Sequence, residues 1–180
     1  MNTVDVDKLI EILQNSENIA YLILFMGSMV ETIIGLSFLF FGEVFFLAGG
    51  ILASAGTLDI KKVIIVLYLG GIIGDNISYF IGRKYGIKLY ETFSKYRLFK
   101  RIINKKNYDK GVSYFIKKGP VSVFLARFMG PISWITPFIS GVYNMNYKKF
   151  FIYNFFGVIF GIGQFIVAGY FGGKYINLFL

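Results

Sequence analysis

Cysteine and histidine are both missing from this chain of 180 residues. Their absence excludes disulfides, zinc sites of the usual Cys/His kind, cysteine nucleophiles and Ser-His-Asp triads. Charge is scarce as well, at 16% of residues, whereas 56% are hydrophobic. A soluble domain carries more charge and less apolar mass than this. What remains is the composition of a polytopic, all-α membrane protein, for which the cell membrane is the expected location. The first 18 residues carry Asp5, Asp7, Glu11 and Glu17 against Lys8. They lack the basic start of a cleaved signal peptide, so this N-terminal segment is expected to be retained and amphipathic.

The formal charge of +9 suggests nucleic acid until it is mapped. Residues 83–118 alone hold 12 basic and two acidic side chains, a net of +10, and the rest of the chain sums to −1. One basic connection between apolar segments is the pattern of a cytoplasmic loop that meets anionic lipid headgroups. Nucleic acid is therefore not an expected partner.

Residues 19–58 form an apolar block whose only charged members are Glu31 and Glu43. A helix of that length would run roughly 60 Å, twice a hydrocarbon core, so the chain must cross twice or fold back. Gly42 leaves a second piece of about 15 residues, short for a full crossing at 1.5 Å per residue, which favours a re-entrant hairpin over 19–62. Residues 63–82 read as a spanning helix with a small-residue stripe at Gly70, Gly74, Ser78 and Gly82. A basic interfacial connection fills 83–118. The pattern then restarts: a second re-entrant unit over 119–149, interrupted at Gly130-Pro131 and Pro137, precedes a second spanning segment over 150–172. A shift of 87 lays Lys61-Lys62 on Lys148-Lys149, Gly70 on Gly157 and Gly74 on Gly161. A hairpin followed by one crossing reverses the next copy, so the repeat is expected to be inverted, as in many secondary transporters.

Four ionisable residues stand in apolar segments: Glu31, Glu43, Asp75 and Arg127. Each costs about 2.5 to 3.5 kcal/mol at a bilayer centre on insertion scales, which points to function. Three carboxylates face one guanidinium, so at least one carboxyl is expected to hold a proton; Glu31, Glu43 and Asp75 are the candidates for proton coupling. Arg127 offers a planar donor fork suited to phosphate, and with Glu31 and Glu43 it forms the expected substrate site. Gly42, Gly130 and Pro131 are the expected hairpin tips. Trp134, the only tryptophan, reads as an interfacial anchor or packing residue rather than a ligand platform. No metal, cofactor or catalytic residue is expected, and the sequence leaves open whether the chain forms a homo-oligomer.

Together these residues resemble the DedA family, bacterial and archaeal relatives of the VTT-domain (SNARE-associated) lipid scramblases, over about residues 28–172. The family pattern of a glutamate followed twelve positions later by Pro-Gly-Glu/Asp is met by Glu31 and Phe41-Gly42-Glu43, without the proline. Gly-Asp-x-x-x-Tyr-x-x-Gly-Arg-x-x-Gly is intact at Gly74-Asp75, Tyr79, Gly82-Arg83 and Gly86. The later Phe, Gly and Arg-Phe-x-Pro elements are met by Phe115, Gly119, Arg127-Phe128 and Pro131, with Pro131 displaced by one and Ser133 at the place of a second arginine. The resemblance implies two hairpins facing each other from opposite leaflets. It also implies lipid movement dependent on protons or membrane potential, with phospholipid or polyprenyl phosphate as substrate and membrane lipids and protons as partners. Glu31, Glu43 and Arg127 inherit the family's essential acidic and basic roles. The alternative on the same residues is a proton-coupled path for a small solute or ion.

The charge map predicts that 83–118 is cytoplasmic and that Lys61-Lys62 lies on the opposite side. Single cysteines introduced into this cysteine-free chain test it. Position 62 is expected to react with an impermeant reagent from outside intact cells, and position 105 only after permeabilisation; the reverse pattern would overturn the assignment.

Overall fold

The computed structural model describes residues 3–34, 36, 43–93, 118–129 and 132–179. Among these, every regular element is a helix. They are α1 (Thr3–Thr32), α2 (Val44–Ser54), α3 (Ile60–Phe93), α4 (Val121–Ala126), α5 (Ile132–Val142) and α6 (Tyr147–Phe179). The expected tips at Gly42, Gly130 and Pro131 lie outside the described residues, as does most of the basic connection. α1 runs without a break through residue 18, where the sequence suggested a boundary.

Two helices are long and apolar enough to cross a membrane, over Ile60–Gly86 and Tyr147–Tyr175. Both start earlier and run longer than the apolar segments suggested, because their first turns are capped in the polar loops. The Asp59 carboxylate accepts from the backbone N–H groups of Lys61 and Lys62 at 2.8 and 3.0 Å. At the start of α6, the Asn146 side-chain oxygen accepts from the Lys149 N–H at 3.3 Å. Each side chain thereby satisfies donors that a helix start leaves orphaned.

The stops of α2 and α5 also match. After α2, Gly56 takes a left-handed φ of 74° and Thr57 N–H closes back on the Leu52 carbonyl. After α5, Asn144 does the same with φ 51° and Met145 N–H closes on the Ser140 carbonyl. These are reverse-turn helix stops, for which Gly and Asn are the tolerant residues. Pro137 does not interrupt its segment, contrary to the sequence reading: α5 passes through it. Its missing N–H removes one helical bond, the one to the Ser133 carbonyl, while the Thr136 and Ser140 hydroxyls add bonds to the carbonyls of Ile132 and Thr136.

The first apolar block breaks earlier than Gly42. α1 ends at Thr32, where the Ser78 hydroxyl donates to the Thr32 carbonyl (3.1 Å) and accepts from Ile34 N–H (2.9 Å). Two more hydroxyls bind α1 to the backbone of α3: Ser28 to the Leu67 carbonyl (2.6 Å) and Thr32 to the Gly71 carbonyl (3.3 Å). Such close approach needs glycine opposite, since a Cβ at Gly74 would run into the Met29 carbonyl. The stripe on α3 thus serves two neighbours: Gly70 and Gly74 meet α1, whereas Gly82 meets the Phe138 carbonyl of α5.

α3 packs against both α1 and α5, and α2 packs chiefly on α6. Two apolar cores result. Tyr21, Leu24, Phe46, Leu67, Val158 and Ile166 belong to one. Tyr79, Val123, Ile139 and Phe150 form the other, with the Tyr79 and Phe150 rings stacked at 4.5 Å. Along α3 the residues between Leu67 and Tyr79, and along α6 those between Phe150 and Val158, form the joint between the cores.

At the α2–α3 turn the Lys62 and Lys61 backbone N–H groups hold the Asp59 carboxyl below its usual range near 3.8. A lowered folded-state value adds stability above the unfolded-state value and loses it as pH falls through the folded one. Asp59→Ala is therefore expected to lower the melting temperature at neutral pH, with the difference closing as pH drops below about 4. Thermal unfolding in detergent across a pH series checks this, and a pH-independent difference would contradict it.

Candidate functional site

Asp75 and Asn154 face each other at the joint of the two cores, both fully buried. Arg127, just past the end of α4, reaches between them. Its Nη2 donates to Asp75 Oδ2 in a very short ion pair and to the Asn154 side-chain oxygen at 2.6 Å. Asn154 Nδ2 donates to the same Asp75 oxygen at 3.0 Å. α3, the α4–α5 break and α6 thus meet in one closed ring of polar contacts. The Arg127 stem lies in a groove that only glycine leaves open: a Cβ at Gly157 would sit 2.8 Å from its Cγ, and one at Gly161 3.2 Å from its Cβ. Burying this pair requires the mutual attraction and hydrogen bonds to offset the loss of water around both charges.

A cavity of about 130 Å³ opens on one side of the ring. Glu31, Glu43 and Arg127 all line it, with Thr32, Ser133, Trp134 and Gln164 in the wall. The three residues expected to bind substrate are therefore brought together. Glu31, on the last turn of α1, is 1% exposed, and neither of its carboxylate oxygens has a hydrogen-bond partner. Glu43 stands immediately before α2 with φ 87°, a strained conformation for a residue with a side chain, and its carbonyl accepts the first helical bond from Leu47. Asp75 is placed differently from the other carboxylates. It does not line the cavity but stands behind Arg127 as its counter-charge.

Trp134 is half-buried and forms part of the cavity wall. Ser133, standing where the family resemblance has its second arginine, also lines the cavity, so the wall holds one guanidinium among the described residues. Among those residues no three acidic side chains gather as a metal site would need. Sequence reasoning missed Asn154 and Gln164. A count of polar as well as ionisable residues within 150–172 would have found both, because an amide in a spanning segment also needs a partner.

The residues 39–171 match the VTT domain family model. Protein DedA of Escherichia coli (strain K12) is 30% identical over 155 residues, 85% of this chain and 68% of that protein. The inner membrane protein YohD of the same organism is 31% identical over 87% of this chain and 72% of its own length. Undecaprenyl phosphate transporter A of Bacillus subtilis (strain 168) is 30% identical over 83% of this chain and 70% of its own length. No solved structure matches the chain at a meaningful level. The chain belongs to the DedA family of VTT-domain membrane proteins. Of these relatives, one carries the name of a transporter and one that of an inner membrane protein.

The buried pair generates a stability prediction. Asp75→Leu leaves Arg127 buried without its counter-charge and is expected to destabilise the protein by about 3 to 5 kcal/mol. Replacing both, Asp75→Leu with Arg127→Met, is expected to recover most of that loss. Unfolding in mixed micelles measures both, and a double variant no more stable than the single one would show that the pair is not coupled.

Proposed function

We propose that the protein moves lipid phosphate headgroups across the bilayer, as a flippase or scramblase for a phospholipid or polyprenyl phosphate. One observation carries the reading: a buried guanidinium and a buried, unpartnered carboxylate line the same cavity between apolar cores. Arg127 meets the phosphate, and a negative ligand there competes with Asp75 for the cation. Glu31 and Glu43 exchange protons with the cavity, linking movement to proton or membrane potential. Asp75 takes part by releasing or recapturing Arg127 as charge enters and leaves. The name of the Bacillus subtilis relative supports a lipid phosphate as the class of substrate.

Segments 19–62 and 119–149 act as re-entrant units, with Gly42, Gly130 and Pro131 at their tips, in an inverted repeat. Support comes from recurrence at the 87-residue offset of the sequence. Capping residues Asp59 and Asn146 and helix starts Ile60 and Tyr147 are each that far apart. The packing is reciprocal too, with α2 on α6 and α5 on α3. Broken segments are tolerable in a membrane where they line a polar cavity.

A second reading, a proton-coupled path for a small solute, draws support from the small volume of the cavity, about 130 Å³. Lipid flip in proteoliposomes separates the two. The unaltered protein is expected to accelerate flip of a fluorescent phospholipid, and Arg127→Ala to abolish it at every pH, because no protonation state replaces the cation. Arg127→Lys keeps the charge but loses the planar fork, and is expected to recover part of the rate. Glu31→Gln and Glu43→Gln are expected to keep lipid binding while weakening the response to an imposed proton gradient. Gradient dependence unchanged in both variants would remove the proton role; no flip by the unaltered protein would favour the solute path.

A further inference from the structure

Arg127 and Asp75 form a one-point pair where the chemistry of both would allow two points. A guanidinium and a carboxylate facing each other freely tend to close with two parallel N–H···O bonds. Here the contact runs from Nη2 to Oδ2, while Arg127 Nε and Asp75 Oδ1 are both buried without a partner. Asn154 is the reason. Its amide oxygen takes a second bond from Nη2 and its amide nitrogen donates to Oδ2, so both atoms of the contact are shared with it. The side chain is 0% exposed, and its helix also supplies the glycine groove at 157 and 161 that fixes the Arg127 stem.

We propose that Asn154 is a positioning residue that holds the Asp75–Arg127 pair open, reserving guanidinium donor capacity for a phosphate oxygen in the cavity. The inference rests on Arg127 being the phosphate-binding group. Without Asn154 the pair closes on both edges, and an entering phosphate must then break two charge-assisted bonds rather than compete at one. An aspartate at that position places a second carboxylate against the same cation and competes with the ligand outright.

Trp134, the only tryptophan and part of the cavity wall, reports occupancy through its emission. The protein in detergent is titrated with a short-chain phosphatidylglycerol, with inorganic phosphate in a parallel arm and a short-chain diacylglycerol as the phosphate-free control. Asn154→Leu and Asn154→Asp are each expected to weaken the phosphate-dependent response by about tenfold or more, the scale of one hydrogen bond to a charged group. The exchange of Asp75→Asn with Asn154→Asp restores one carboxylate, one amide and one guanidinium at the same three positions. It is expected to return affinity to within roughly threefold of the unaltered chain, a non-additive rescue that packing alone does not give.

Unchanged affinity in Asn154→Leu, or an exchange variant as weak as the singles, overturns the inference and leaves the phosphate site standing. No response from the unaltered protein removes the phosphate site and the inference together. A response to inorganic phosphate that shows the same dependence on Asn154 supports the positioning role and assigns the ligand as a free anion rather than a lipid head.

Discussion

The charge on Arg127 has to be buried in an apolar bundle, and the packing around it follows from that requirement. An unpaired guanidinium at that depth would cost several kcal/mol. Asp75 and Asn154 answer it from two helices that must then lie face to face, and Gly157 and Gly161 leave room for its stem. The two apolar cores end where this ring begins. Because α3 and α6 share the ring, any movement that changes the state of Arg127 acts on the two longest apolar helices at once.

The scaffold recurs at an offset of 87 residues, but its chemistry does not. Under that offset Arg127 stands opposite Phe40, Asp75 opposite Ile162 and Asn154 opposite Leu67. The buried carboxylates Glu31 and Asp75 and the half-buried Glu43 all precede the basic connection, and the buried cation follows it. A recurring frame of helices thus carries a cavity whose carboxylates, Glu31 and Glu43, come from one half of the chain and whose guanidinium comes from the other. Glu31, with both oxygens unpartnered, is the carboxylate left over once Asp75 has paired with Arg127.

Much of this was legible in the sequence, for definable reasons. Ionisable residues in apolar runs are expensive enough to mark a site, and Glu31, Glu43 and Arg127 do converge on one cavity. Lysine pairs and glycine spacing marked the 87-residue offset because helix starts and close helix contacts have strict local requirements. Pairing was not legible. Nothing in the spacing of Asp75 and Arg127, 52 residues apart, showed that one would become the counter-charge of the other. The early end of α1 was also hidden, because it depends on Ser78 reaching across from α3. Pro137 misled for a related reason: proline removes a single helical bond, and α5, packed along α3, continues through it.

The central claim is that a lipid phosphate reaches the buried guanidinium of Arg127. Solid-state magnetic resonance in bilayers measures it most directly, through dipolar coupling between isotope-labelled arginine side-chain carbons and lipid phosphorus. Arg83, Arg97 and Arg101, in the basic connection, are the other arginines of the chain, and any lipid contact they make is the background. The account predicts a further close arginine–phosphorus contact in the unaltered protein that disappears in Arg127→Lys while the background persists. Identical coupling in the two proteins would contradict it.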